Sequence, residues 1–125
     1  MVVKSHRELR VYKLAFESAS EIHLLTAKFP SEERYGLTDQ IRRSSRSMCA
    51  NIGEAWRKRR YEKSFISKLS DADAEATEVQ IWLEFSHRFG YVDQSTCDKL
   101  TDQYDHVCSQ LTIMMNQPEK WINGQ

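Results

Sequence analysis

The chain has 125 residues, a length that suits one domain with a single buried core. Eighteen Lys and Arg residues balance eighteen Asp and Glu residues, so the formal net charge at pH 7 is zero and strong overall basicity is excluded. No stretch approaches the ~18 consecutive apolar residues of a membrane span, and the N-terminus lacks the apolar core of a signal peptide. The three cysteines form no CxxC pair, which argues against a disulfide framework and favours a protein of the reducing cytoplasm.

Two helices are predicted in the first half of the chain. Apolar residues at steps of three and four predict a first helix from about His6 to Lys28, which Phe29-Pro30 ends. Gly36 breaks the path before a second helix from about Leu37 to Arg57. Only four glycines and two prolines occur in the whole chain, which also favours a helical class.

Two further helices are predicted in the second half. Apolar residues at alternating four- and three-residue steps, from Phe65 to Leu83, indicate the buried seam of a third helix that Gly90 ends. Asp93 or Ser95 is expected to cap a fourth helix. Because the connections are short, neighbouring helices should be antiparallel, and we predict an all-α, up-down-up-down four-helix bundle. Residues 1–117 would form this bundle domain, and residues 118–125 a loosely ordered tail.

The hydrophobic core should take one apolar side of each helix. Its predicted members are Leu9, Phe16, Ile41, Met48, Ile52, Phe65, Leu69, Val79, Leu83, Leu100, Val107 and Leu111. The third helix also carries a second stripe, formed by Trp82, Phe85 and Phe89, on nearly the opposite side from Leu69 and Leu83. Large aromatic side chains exposed together mark an interface, so we predict a homo-oligomer that forms through this stripe.

Positive charge is concentrated along the second helix and the turn that follows it. Between Arg42 and Lys63 there are eight Lys or Arg residues and only two acidic residues, Glu54 and Glu62. Local charge of this kind attracts polyanions even when the net charge is zero. The predicted polyanion-binding residues are Arg42, Arg43, Arg46, Arg57, Lys58, Arg59 and Arg60, for structured RNA or single strands. Trp56 and Tyr61 lie beside this cluster and could stack on bases.

A different interpretation of the same arginines is an ion-paired surface. The third helix has five acidic residues and no basic one between Asp71 and Glu84. Arg42, Arg43 and Arg46 could pair with Asp71, Glu75 and Glu78 of this helix or of a neighbouring subunit. For Asn51, Glu54, Glu75 and Glu78 we expect a structural network of hydrogen bonds rather than chemistry.

No catalytic residue, metal site or cofactor is predicted. The four histidines are scattered, and none lies in HExxH, in a zinc spacing with CxxC or in a Gly-rich phosphate loop. Glu84-Phe85-Ser86-His87 matches the Glu-x-x-His element of di-iron bundles, but those bundles need two such elements and two further glutamates. Cys49 is expected to be a small buried thiol rather than a nucleophile.

The run from Tyr35 to Arg57, YGLTDQIRRSSRSMCANIGEAWR, resembles the signature of a family of four-helix bundle proteins first found encoded in intervening sequences of bacterial 23S rRNA genes. Flanking matches extend the resemblance over about residues 9–92. The resemblance implies a small all-α protomer, a ring of five subunits and a link to RNA. Cys49 departs from the family pattern, and Gly53 and Ala55 stand where many relatives have alanine and glycine.

Three functions of different classes follow from these observations. The first is a nucleic-acid-binding accessory protein, which the resemblance favours. The second is an adaptor for a protein partner such as a reverse transcriptase, since the family is related to the accessory variability determinant of diversity-generating retroelements. The third is a metal-dependent bundle enzyme, which the missing ligand set counts against. We therefore expect a non-enzymatic, homopentameric protein that binds RNA or DNA.

Overall fold

The computed structural model describes residues 2–122, and the described chain contains helices and no strand. Four long helices follow one another: α1 (Arg10–Thr26), α2 (Leu37–Arg57), α3 (Glu62–Arg88) and α4 (Gln94–Asn116). Each helix packs mainly against two others, in the cyclic order α1, α2, α3, α4 and back to α1. This arrangement, with short connections, is the predicted antiparallel four-helix bundle, and the fold class is confirmed.

The N-terminus differs from the predicted first helix. His6–Glu8 form a separate turn of 3-10 helix, and Leu9 is extended with φ −68° and ψ 129°, so α1 begins at Arg10. Ser5 caps the turn, because its Oγ accepts a hydrogen bond from the backbone N–H of Arg7 at 3.0 Å. The extended backbone at Leu9 directs this side chain into the core, where it is buried.

Eleven of the twelve predicted core residues are buried, and the prediction for Phe16 is wrong. Phe16 is 55% exposed, whereas Val11, Ala15 and Ile22 form the buried side of α1. One residue is a rotation of about 100° on a helix, so the register that buries Ala15 turns Phe16 onto the adjoining side. The core of α3 includes Ala72 and Ala76, both fully buried beside the larger seam residues.

Local chemistry defines the two helix ends at the α3–α4 connection. Gly90 has φ +82°, a left-handed conformation that glycine adopts without strain, and it ends α3. The backbone N–H of Tyr91 donates to the Ser86 carbonyl oxygen at 2.9 Å, which completes the Schellman motif. Of the two candidate caps for α4, the structure uses Asp93, whose Oδ1 accepts from the Thr96 backbone N–H at 2.8 Å. This hydrogen bond lowers the pKa of Asp93.

The α1–α2 and α3–α4 connections lie at the same end of the bundle and contact each other. Tyr91 Oη donates to Glu33 Oε2 at 2.9 Å, and the Tyr91 ring packs against Phe29 with 5.3 Å between centroids. Glu33 Oε1 also accepts from the Leu37 backbone N–H at 3.1 Å, so one side chain caps α2 and anchors the other connection. The α2–α3 turn, which carries Lys58 to Arg60, lies at the opposite end of the bundle.

The segment after α4 was predicted to be a loosely ordered tail. Within it, Glu119–Ile122 form one helical turn, α5, and Trp121 packs partly buried against the core. The remaining part of this prediction, residues 123–125, lies outside the described residues. Among the helices of residues 2–122, none combines the length and the apolar character needed to cross a membrane.

Candidate nucleic-acid interface

Arg42 lies at the junction between α2 and the end of α1. Its Nε donates to Thr26 Oγ1 at 2.7 Å, and its Nη2 donates to the His23 carbonyl oxygen at 3.1 Å. The carbonyl groups of the last helical turn have no partners further along their own helix, and this end of the helix dipole is negative. Arg42 therefore satisfies one backbone carbonyl group at the C-terminal end of α1. Its guanidinium is half-buried, and part of its hydrogen-bonding capacity is used within the fold.

Arg46 lies one turn further along α2 and is exposed. Its Nη2 is 3.2 Å from His23 Nδ1. A guanidinium can only donate hydrogen bonds, so in this contact Arg46 is the donor and His23 Nδ1 the acceptor. Arg43 is exposed as well. Both residues thus present guanidinium groups to solvent from the middle of α2.

The basic run at the end of α2 continues into the turn. Arg57, Lys58 and Arg60 are exposed. Arg59 instead folds back: its guanidinium carbon lies 3.8 Å from the centroid of the Trp56 ring, and its Nη1 donates to the Trp56 carbonyl oxygen at 2.8 Å. This cation–π contact keeps Trp56 from offering that face to a ligand. Of the seven predicted residues, Arg43, Arg46, Arg57, Lys58 and Arg60 are exposed and form what we call the basic surface.

The ion-pair interpretation can be compared with the carboxylates of α3. In residues 2–122, ion pairs within 4.0 Å join Lys68 to Glu54 and Lys99 to Glu21, and His106 Nε2 lies 3.7 Å from Asp102 Oδ2. None of them involves the seven predicted cationic residues. Within one protomer, the described arginines are therefore not neutralised by the acidic residues of α3.

The predicted polar network divides into two parts. Ser44 Oγ donates to Glu78 Oε1 at 3.3 Å, and Asn51 Nδ2 donates to Ser47 Oγ at 3.4 Å. Glu75 interacts with both Ser47 and Glu78, and burial together with the nearby Glu78 and Asp71 carboxylates raises the pKa of Glu75. Glu54 does not join this group, because it forms its ion pair with Lys68 Nζ at 2.8 Å. The serines that connect α2 to α3 were not part of the prediction.

An open groove of about 1180 Å³ runs between the N-terminal turn, α1 and α2. Five cationic side chains line this α1–α2 groove: Lys4, Arg7, Arg46, Arg57 and Lys58. Its apolar lining includes Tyr12, Phe16 and Trp56. The fold thus brings two members of α2, Arg46 and Arg57, together with N-terminal cations that lie some fifty residues away in the sequence.

The sequence does not predict this groove, for a physical reason. Tyr12 and Phe16 are four residues apart, as are Val11 and Ala15, and either pair fits a buried helical face. The sequence signal against burial of Phe16 is the set of basic residues in the N-terminal segment that leads into α1, namely Lys4, Arg7 and Arg10. A helix flanked by such charges is expected to keep part of its adjoining face in solvent.

The predicted oligomer stripe is a continuous aromatic cluster on the outside of α3. Ring centroids are 6.1 Å apart between Trp82 and Phe85, and 5.8 Å apart between Phe85 and Phe89. Phe85 and Phe89 are 45% and 55% exposed, while Trp82 is half-buried. Trp82 Nε1 is buried and has no hydrogen-bond partner among the described residues. The cluster leaves a large aromatic area facing solvent in the single protomer.

Burial makes the thiols of Cys49 and Cys108 weakly acidic. Burial raises the pKa of Cys49 to about 11 and that of Cys108 to about 12. The thiolate is the nucleophilic form, so both groups are protonated and weakly reactive at neutral pH. Around Glu84 and His87, as elsewhere in residues 2–122, no group of three or more His, Cys, Asp or Glu side chains is arranged to hold a metal ion.

These features define a class of small helical-bundle proteins with one basic flank and an exposed aromatic stripe. The chain belongs to the family of 23S rRNA-intervening sequence proteins, whose family model matches residues 7–113. This match confirms the family resemblance and extends it beyond residues 9–92.

The fold is also similar to a solved structure. That protein, from Bacteroides thetaiotaomicron VPI-5482, has unknown function and is described as a member of the S23 ribosomal protein family. The two chains are 27% identical, with a TM-score of 0.76, over 85% of this chain and 95% of the other. No curated protein matches the sequence.

Proposed function

We propose that the protein is a non-enzymatic nucleic-acid-binding protein that contacts phosphates through its basic surface, with RNA as the favoured ligand. The observation that carries the proposal is that Arg43, Arg46, Arg57, Lys58 and Arg60 are exposed and make no ion pair with the described carboxylates. Membership of a family named after 23S rRNA supports RNA over other polyanions.

The geometry of α2 suits contact with a phosphate backbone. Arg46 and Arg57 are eleven residues apart, which places them on one side of the helix and about 16 Å apart along its axis. A strand that follows this side meets both guanidinium groups, each able to form paired hydrogen bonds to a phosphate. Recognition rests on charge and shape, because the side chains of the basic surface form no recognisable base-reading module.

The absence of catalysis is part of the same proposal. The raised pKa of Cys49 keeps its thiol protonated, and its place in the wall of the α1–α2 groove is that of an apolar side chain. Glu84-x-x-His87 is a single element where a di-iron bundle uses two. The acidic pair Glu75 and Glu78 is tied to the serines of α2, which suits a structural role.

The active form in this proposal is a homo-oligomer, with five subunits as the number that the family resemblance implies. The exposed aromatic stripe of Trp82, Phe85 and Phe89 supports an interface between copies of the chain. A ring would repeat the basic surface around its axis. Weak phosphate contacts from each protomer would then add up through effective concentration.

The alternative is an adaptor that serves a protein partner such as a reverse transcriptase. This alternative draws on the similarity between the family that the sequence resembles and the accessory variability determinant of diversity-generating retroelements. The observation that favours it is again the aromatic stripe, which would then receive the partner instead of a second copy. Copurification of a polymerase, together with failure to bind nucleic acid, is the result expected from this alternative.

Fluorescence anisotropy with labelled RNA and DNA over a salt series tests the proposal. Replacing Arg46→Gln with Arg57→Gln removes two phosphate contacts, so binding weakens and the slope of log K against log salt falls by roughly 1.4–1.8. The control pair Lys28→Gln with Arg88→Gln removes the same charge from exposed positions at the opposite end of the bundle and leaves the slope unchanged. Wild-type protein that retains no RNA or DNA even at low salt contradicts the proposal.

A further inference from the structure

The α1–α2 groove combines an aromatic series with cationic side chains. His6 and Tyr12 meet edge to face with 4.8 Å between ring centroids, and Tyr12 and Phe16 follow at 5.9 Å. Phe16 is 55% exposed, although it is a large apolar side chain in the middle of a helix. The fold therefore maintains an aromatic ring in solvent inside a groove, where a planar ligand could cover it.

The charge around these rings identifies the class of ligand. Lys4, Arg7, Arg46, Arg57 and Lys58 all line the groove, and the one carboxylate in its lining, that of Glu54, lies 2.8 Å from Lys68 Nζ. The net potential is therefore positive, and the complementary ligand is an anion with flat apolar faces. A neutral apolar helix of a protein partner would leave these cations desolvated without counter-charges, which is costly.

Single-stranded nucleic acid has this combination of properties and a duplex does not. In a duplex the faces of the bases are covered by their neighbours in the stack, so only the phosphates would be available to the groove. An unpaired strand can place a base on an aromatic ring while its phosphates meet lysine and arginine. The volume of about 1180 Å³ exceeds that of a typical small-molecule pocket, about 300–1,000 Å³, which suits an extended ligand.

We infer that the α1–α2 groove binds an unpaired RNA or DNA strand, with a base stacked on Phe16 and the adjoining phosphates at Arg46, Arg57 and Arg7. The inference rests on the proposed nucleic-acid binding and specifies its substrate class as single-stranded. It extends the interface from α2 to α1 and the N-terminal turn. Stacking supplies the preference for unpaired strands, whereas the cations supply affinity for any nucleic acid.

The test compares single-stranded and duplex oligonucleotides of about 12 nucleotides, within the usual site size of single-strand-binding folds. Phe16→Leu keeps an apolar side chain but removes the aromatic face, so affinity for the single strand should fall at least about fivefold. The salt slope should not change, since no phosphate contact is lost. Duplex affinity should not change either. Tyr35→Leu is the matched control, because Tyr35 is an exposed aromatic residue outside the groove lining.

Each outcome separates this inference from the proposed function. Selective loss of single-strand affinity in Phe16→Leu, without loss in Tyr35→Leu, supports it. Equal wild-type affinity for single strand and duplex, with no effect of Phe16→Leu, overturns the inference and leaves phosphate binding by the basic surface intact. Failure of the wild type to bind either probe overturns both. If light scattering shows that Phe16→Leu changes the number of subunits, the groove is an interface between copies of the chain. This result also overturns the inference.

Discussion

At the scale of single residues, Arg42 and Arg43 are chemically identical neighbours with different environments. The Arg42 guanidinium donates to Thr26 Oγ1 and to the His23 carbonyl oxygen, whereas Arg43 is exposed. Hydrogen bonds from a charged group to a helix end stabilise a fold, while an exposed side chain contributes little to it. Substitutions at Arg42 should therefore affect stability, whereas substitutions at Arg43 should affect only the proposed phosphate binding.

We expect Arg42→Ala to lower the free energy of unfolding by about 1 kcal/mol, because the C-terminal end of α1 loses its donors. Arg43→Ala, the matched control, should change this free energy by less than about 0.5 kcal/mol. Urea denaturation followed by circular dichroism measures both variants. Equal effects at the two positions would mean that the contact with α1 contributes nothing to stability.

At the scale of elements, α2 includes a glycine, Gly53, that has ordinary helical backbone angles and does not need the conformational freedom of glycine. Gly53 lies inside the helix, and a Cβ built there would be 3.7 Å from His6 Cδ2, an ordinary van der Waals contact. An isolated glycine inside a helix can mark a close approach by a neighbouring helix. The contact is instead with the N-terminal turn, and it leaves room for alanine.

Gly53→Ala should therefore raise the free energy of unfolding by about 0.5–1 kcal/mol, through better helix propensity and a less flexible unfolded chain. Gly90→Ala provides a contrast of opposite sign. Its φ of +82° is unfavourable for alanine, and we expect a loss of about 1–2 kcal/mol. Thermal and urea denaturation of both variants measure the two changes. If Gly53→Ala destabilised the protein, the contact with His6 would be tighter than the structure has it.

The helices differ in how far local sequence determines their ends and their buried side. The bounds of α2 are Leu37 and Arg57, as predicted, because local signals define them: Gly36 before the helix and a basic run after it. The assignment of Phe16 failed because two faces of α1 had the same periodicity, and only packing against α2 and α4 decides between them. Likewise, the contact of Arg42 with α1 and the joint place of Arg7 and Arg57 in the lining of the α1–α2 groove depend on the assembled bundle, so no local pattern contains them.

At the scale of the whole molecule, the basic surface and the aromatic stripe lie on different elements. The first belongs to α2 and the turn after it, and the second to the outside of α3. Phe85 and Phe89 remain about half exposed in the protomer. In the proposed assembly, association through α3 would bury these rings, and none of the residues of the basic surface belongs to that helix.

Light scattering of the wild type at ~100 μM, far above the dissociation constant of a stable interface, should give a multiple of 14.7 kDa. Five subunits is the expected number. Phe85→Glu with Phe89→Glu should disperse the oligomer, because two charges cannot be buried in an apolar interface without partners. Ile113→Glu, a change at an exposed apolar residue on α4, is the control and should not alter the mass. A wild-type monomer at this concentration contradicts the predicted interface.

Proteolysis at the α2–α3 turn would measure how much of the protein has nucleic acid bound. Lys58 and Arg60 are exposed at this connection, and trypsin cleaves peptide bonds that follow such residues. A strand bound along the basic surface would cover the turn and slow this cleavage. The cations proposed to hold phosphate are therefore also protease sites, so the rate of cleavage in this turn reports bound nucleic acid without any label on either molecule.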